Sequence, residues 1–160
     1  MGGRVVPWSE SRNEEWKGKW GGREQQMRDG FFKAAAVVPS MTIADPESNA
    51  KEMIRCLREA AGNGAKLIAF PELAVTGYTG NDLFLQDMLL RGAEDALRVI
   101  RDATTGLDAL VFVGFPLEWK GKLYNTAAVL QNGRILAFIP KRDLPDYAEF
   151  YEPRQFTPGP

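Results

Sequence analysis

The sequence predicts an α/β fold built on a mixed sheet, and three observations carry that prediction. Short apolar runs at 32–38, 65–70 and 109–115 are separated by two segments of helical periodicity, the order expected when parallel strands are joined through helices. Gln131-Asn132-Gly133 stands between two further extended runs, which is the signature of a hairpin and makes the sheet mixed. No apolar run approaches the roughly 18 residues that suggest a membrane span.

Taken in order, Phe32 to Val38 suits a buried strand. Asp45-Pro46-Glu47 reads as an N-cap, a first-turn proline and a first-turn acid. In the helix that follows, Ala50, Met53, Ile54, Leu57 and Ala61 recur at helical spacing, and Gly62 or Gly64 supplies a left-handed stop. Ala65 to Phe70 is the next strand and brings Glu72 to its carboxyl end. Residues 84–103 form a second helix with Leu89, Ala93, Ala96, Leu97 and Ile100 on one face. Ala109 to Phe115 is a third strand, and Leu123 to Leu130 and Arg134 to Ile139 are the arms of the hairpin. Residues 140–160 hold five prolines and read as loop, and no internal repeat is evident. Residues 1–26 place Trp8, Trp16 and Trp20 among Gly, Arg, Glu and Gln without periodicity. They read as a disordered extension, with Met27 as a natural start and 27–160 as the folded domain.

Composition narrows the chemistry. A chain of 160 residues, 44% hydrophobic and 26% charged, has enough material for one core. A net charge of -1 gives no basic footprint for nucleic acid or an anionic membrane, and the N-terminus lacks the basic-then-apolar order of a signal peptide, so a cytoplasmic protein with a small-molecule partner is expected. One cysteine excludes a disulfide framework or CxxC metal site. The absence of histidine excludes His-based zinc sites and every Ser-His or Cys-His nucleophile, so no metal is expected.

Against that background Glu72 and Lys141, each just after a strand, suggest acyl transfer run by a carboxylate base and an ammonium in place of imidazole. Two other readings stand beside this one: Glu72 caps its own turn through the N–H of Val75 or Thr76, and Lys141 is a solvated charge after a hairpin. Cys56 lies within the first helix beside its apolar stripe and reads as a packing residue.

The flanking residues Phe70-Pro71-Glu72-Leu73 with Gly77-Tyr78, and Lys141 through Glu152, resemble the nitrilase (carbon–nitrogen hydrolase) superfamily. Within it, Asp82-Leu83-Phe84, Leu144-Pro145-Asp146-Tyr147 and Glu149-Phe150-Tyr151-Glu152 are similar to the amino-terminal glutaminase domains of glutamine-dependent NAD+ synthetases. The resemblance covers residues 27–160. It implies an αββα sandwich of two similar halves, of which this chain supplies the first: a mixed sheet with two helices on one face. It also implies that Glu72 is the general base and Lys141 the stabiliser of the tetrahedral intermediate. Tyr147 would contact glutamine, Tyr78 and Phe150 would line the pocket, and Glu152, with Glu149 beside it, would hold Lys141 or the substrate's amino group. The family's cysteine nucleophile lies well downstream of the lysine, so none is expected within residues 1–160, and this stretch alone is expected to be inactive. No cofactor is expected on this chain. ATP and magnesium would belong to a synthetase domain further on, and the full-length protein would be a homo-oligomer. A stand-alone amidase or carbamoylase would share Glu72 and Lys141, and a non-catalytic interaction protein using the tryptophan-bearing extension is the reading from another class.

Overall fold

The structure, a computed structural model, describes residues 4–7 and 30–160. Its sheet has six strands in sequence order: β1 (Arg4–Pro7), β2 (Ala34–Val38), β3 (Leu67–Ala69), β4 (Leu110–Trp119), β5 (Lys122–Gln131) and β6 (Arg134–Pro140). Helix α1 (Pro46–Gly62) crosses from β2 to the parallel β3, and α2 (Asp87–Ala103) crosses from β3 to the parallel β4. The β4–β5–β6 meander is antiparallel, so the sheet is mixed, as the hairpin signal requires.

Local chemistry explains most boundaries. Asp45 accepts a hydrogen bond from Ser48 N at 3.1 Å, and that bond holds its carboxyl below the usual carboxylate range. Gly64, at φ 82, is the left-handed residue after α1; Gly62 remains within the helix. The hairpin turns through Asn132 (φ 46) and Gly133 (φ 73), the two left-handed residues of a tight primed turn. Two expectations shift. Helix α2 begins at Asp87, not 84, because Tyr78–Leu85 forms a 3₁₀ segment broken at Asn81, whose φ of 48 no α-helix admits. In addition, Arg4–Pro7 pairs antiparallel with β2, so a strand lies inside the segment read as an extension. Trp8, Trp16 and Trp20 and the rest of that extension lie outside the described residues.

Both helices cover one face of the sheet. Met53, Leu57, Ala93, Leu97 and Ile100 pack on Val37, Ile68, Val111, Val113, Phe115 and Leu130, and register pairing aligns those strand residues on a single side. Ile100 and Ile68 are fully buried, and Leu97 nearly so. Cys56, at 0% exposure, belongs to this same helix-side core. The alternate residues face the other way: Ala34, Ala36 and Val38 are exposed, and Phe112 and Ala127 are half-buried. One sheet with two helices on one face is the half-sandwich that the sequence predicts.

Candidate active site

The opposite face of the sheet carries the polar cluster. β3 ends at Ala69, and the chain then turns across β4 so tightly that only glycine fits beneath it: a Cβ at Gly114 would lie 2.2 Å from Pro71 O and 2.3 Å from Leu73 N. Val75 N donates to Gly114 O at 3.2 Å and pins the turn. Leu73, fully buried, holds a left-handed φ of 48, a conformation that costs a β-carbon residue about 1 kcal/mol or more. Burial of Leu73 against Phe84, Leu89 and Phe156, with hydrogen bonds from Thr76 N and Gly77 N to its carbonyl, sustains that strain. The strained residue directly follows Glu72.

Lys141 arrives from β6. Its backbone N–H donates to Asn125 O at 2.8 Å and its carbonyl accepts from Gly159 N at 2.8 Å, so both sides of the residue are bracketed. Its Nζ lies 2.7 Å from Glu72 Oε1 and 2.9 Å from Glu152 Oε1. The capping alternative for Glu72 does not hold, because Val75 N and Thr76 N find backbone carbonyls instead. Nor is Lys141 solvated, since its side chain is only 30% exposed.

Glu152, 5% exposed, sits in the 3₁₀ turn Glu152–Arg154 and also accepts from the Tyr78 hydroxyl at 2.8 Å. An ion pair between Arg154 and Asp82 (2.8 and 2.9 Å) fastens this turn to the 3₁₀ segment that bears Tyr78, and Phe84 packs on Phe156 at 5.0 Å beneath it. Tyr78, Phe150 and Tyr147 form a chain of edge-on rings with centroids 6.4 and 5.5 Å apart. Tyr147 is 67% exposed and stands at the outer rim. Glu149 is exposed and takes no part in the network that holds Lys141.

One member escaped the sequence reading. Asn125, in the middle of β5 and 3% exposed, donates from Nδ2 to Glu72 Oε1 at 2.5 Å and approaches Glu152 Oε2 at 3.5 Å. The available signal was an asparagine in the interior of a strand, where that residue is depleted.

The electrostatics are those of two carboxylates sharing one ammonium. Burial pulls Lys141 toward the neutral amine, but its hydrogen bonds to Glu72 and Glu152 outweigh burial and hold it above the ordinary lysine value. Burial, followed by the bond to Glu152, raises the Tyr78 phenol well above its ordinary range. Both groups keep their protons longer in the folded chain than in the unfolded one. Their stabilisation is therefore complete below about pH 10 and is lost as pH rises through the folded-state values. The thermal midpoint is expected to fall between about pH 10 and 12, and Tyr78→Phe is expected to make that fall shallower. Thermal melts across this range check it.

Chemically, the site pairs a carboxylate able to take a proton with an ammonium able to face developing negative charge. The carbon-nitrogen hydrolase family model matches residues 33–159. The glutamine-dependent NAD(+) synthetase of Mycobacterium tuberculosis is 42% identical over 130 residues, which are 81% of this chain and 19% of that protein. The glutamine-dependent NAD+ synthetase of Acinetobacter baumannii, solved with adenosine diphosphate, superposes with a TM-score of 0.75 at 35% identity, covering 80% of this chain and 24% of that one. A mutant amidase from Nesterenkonia sp. AN1, solved with covalent addition of an acetamide moiety at its active-site cysteine, superposes with a TM-score of 0.64 at 25% identity, covering 79% of this chain and 48% of that one. The chain thus spans about a fifth of the length of the curated relatives it matches. With Glu72, Lys141 and Glu152 all inside the matched stretch and drawn into one cluster, the chain belongs to the carbon-nitrogen hydrolase family.

Proposed function

We propose that residues 27–160 are part of the glutaminase portion of a glutamine-dependent NAD+ synthetase, which releases ammonia from L-glutamine for amidation of nicotinate adenine dinucleotide to NAD+. The observation that carries this reading is the 2.7 Å pair of Glu72 and Lys141 in a chain that is 42% identical over 130 residues to such a synthetase.

In the reaction Glu72 takes the proton of a cysteine thiol supplied by a segment beyond residue 160, and the sulfur attacks the carboxamide carbon of glutamine. An ammonium has three N–H donors. Glu72 and Glu152 take two of Lys141's, which leaves the third for the oxyanion. Collapse of the tetrahedral intermediate breaks the C–N bond, Glu72 returns its proton to the leaving nitrogen, and ammonia departs. Water then hydrolyses the thioester to glutamate. Tyr78, Phe150 and Tyr147 form a wall for the substrate's chain; the Tyr78 hydroxyl is committed to Glu152, so Tyr78 offers its ring. ATP and magnesium are assigned to the synthetase portion of the longer, homo-oligomeric and cytoplasmic protein.

Cys56 cannot serve as the nucleophile. It is buried on the helix side of the sheet, whereas the cluster stands on the other side, and burial raises its thiol pKa and so disfavours the thiolate. Ammonia release from glutamine is therefore expected from the full-length protein and not from the 160-residue chain. Turnover by the short chain that disappears in Cys56→Ser would overturn this assignment. A full-length protein that hydrolyses simple aliphatic amides in preference to glutamine would instead make it an amidase.

A further inference from the structure

Both hydrogen bonds to the Glu72 carboxylate fall on one oxygen. Asn125 Nδ2 and Lys141 Nζ each reach Oε1, at 2.5 and 2.7 Å, while Oε2 has no hydrogen-bond partner among the described residues. A glutamate on a turn, its side chain 42% exposed, has several rotamers open to it unless something fixes it. Lys141 alone is a poor fixture, because its ammonium is shared with Glu152 and is required at the reacting carbonyl. Asn125 is different. It is buried, sits between β4 and β6 with its carbonyl taken by Lys141 N, and brings donors without charge. A cation in its place would draw Glu152 off Lys141, and an anion would repel both carboxylates.

We infer that Asn125 is the positioning residue for the base, anchoring Glu72 through Oε1 so that Oε2 is the oxygen that exchanges the proton. The inference rests on the glutaminase reading above. The thiol proton passes to Oε2 as the sulfur's electron pair forms the bond to the amide carbon. The same proton leaves from Oε2 to the departing nitrogen, so the anchoring bonds on Oε1 need not break during the cycle. The other charged or titratable groups facing this carboxylate are Lys141 from the end of β6, Glu152 from the 152–154 turn, and Tyr78 from the 3₁₀ segment.

The test compares wild type, Asn125→Ala and the isosteric Asn125→Asp in the full-length protein, with glutamine as substrate. Alanine is expected to lower kcat roughly tenfold to a hundredfold with KM changed less than about threefold, because a loosened base loses part of the roughly 10²–10⁴ that general-base catalysis supplies while substrate contacts remain. Asn125→Asp keeps the shape but puts an anion where the donors were, facing Glu72 and Glu152, and the inference predicts a larger loss than alanine gives. Wild-type kcat in either variant, a change confined to KM, or failure of both variants to fold would overturn it.

Should wild type release no ammonia from glutamine, the functional reading fails and the anchoring is decided on the 160-residue chain by NMR. The Asn125 Nδ2 protons are expected well downfield and to shift on Glu72→Gln. Signals that stay in place would overturn the anchoring.

Discussion

Gly114→Ala is expected to lower the thermal midpoint by roughly 10 °C, which corresponds to about 3 kcal/mol at this size. The added methyl would meet backbone on two sides, Pro71 O and Leu73 N, and backbone cannot rotate away as a side chain can. Relief requires lifting the turn that holds Glu72 off β4, against the strain already present at Leu73 and the bond from Val75 N to Gly114 O. The damage should therefore be functional as well as thermal. In the folded fraction, the Lys141 ammonium should titrate closer to an ordinary lysine, because one of its two carboxylate partners has moved. Differential scanning calorimetry and NMR titration of the lysine side chain measure the two effects. A variant with wild-type melting and an unshifted Lys141 would show that the turn is not seated on Gly114.

Lys141→Ala is expected to reduce glutamine hydrolysis by the full-length protein roughly 10²- to 10³-fold, the usual consequence of removing one oxyanion donor. It should also cost about 2 kcal/mol of stability. The full penalty for stripping a counterion from a buried charge is about 3–5 kcal/mol, but Lys141 and Glu72 are partly exposed and solvent screens the change. Most of the cost falls on Glu152, whose side chain is 6% exposed and keeps only the Tyr78 hydroxyl and a long approach from Asn125. Lys141→Ala/Glu152→Gln should regain part of that stability without regaining activity. A double variant no more stable than the single one would show that the buried carboxylate is not the source of the cost.

The residues that were legible in the sequence are those whose neighbours constrain them locally. The Asp45 cap with Pro46, the apolar stripes of both helices and the Asn132-Gly133 turn all act within a few residues, and each stands where periodicity or turn chemistry places it. Glu72 and Lys141 were legible because each follows a strand within a family motif. Asn125 was not, since an asparagine in a strand declares itself only once Pro71–Leu73 is folded over β4 and the 152–154 turn comes back beside it. The 3₁₀ segment was missed for a related reason. Leu83, Phe84 and Leu85 continue the apolar pattern of α2, but the backbone at Asn81 and the ion pair from Asp82 to Arg154 hold the segment out of the helix. Contacts across about 70 residues of sequence, such as Tyr78 with Glu152, leave no periodic trace.

Because the sheet keeps its packing on one side and its chemistry on the other, it works as a partition between two evolutionary tasks. Met53, Leu57, Ala96 and Ile100 can be exchanged for other apolar residues of similar volume, and thermostability tuned through them, while the hydrogen-bonded backbone of the sheet between them holds the spacing of Glu72, Asn125 and Lys141 constant. The reverse trade is closed, since the glycine and the left-handed leucine under the base leave no volume to adjust. A library restricted to the helix side should yield stabilised variants that keep their turnover, whereas one restricted to 71–77 should yield few.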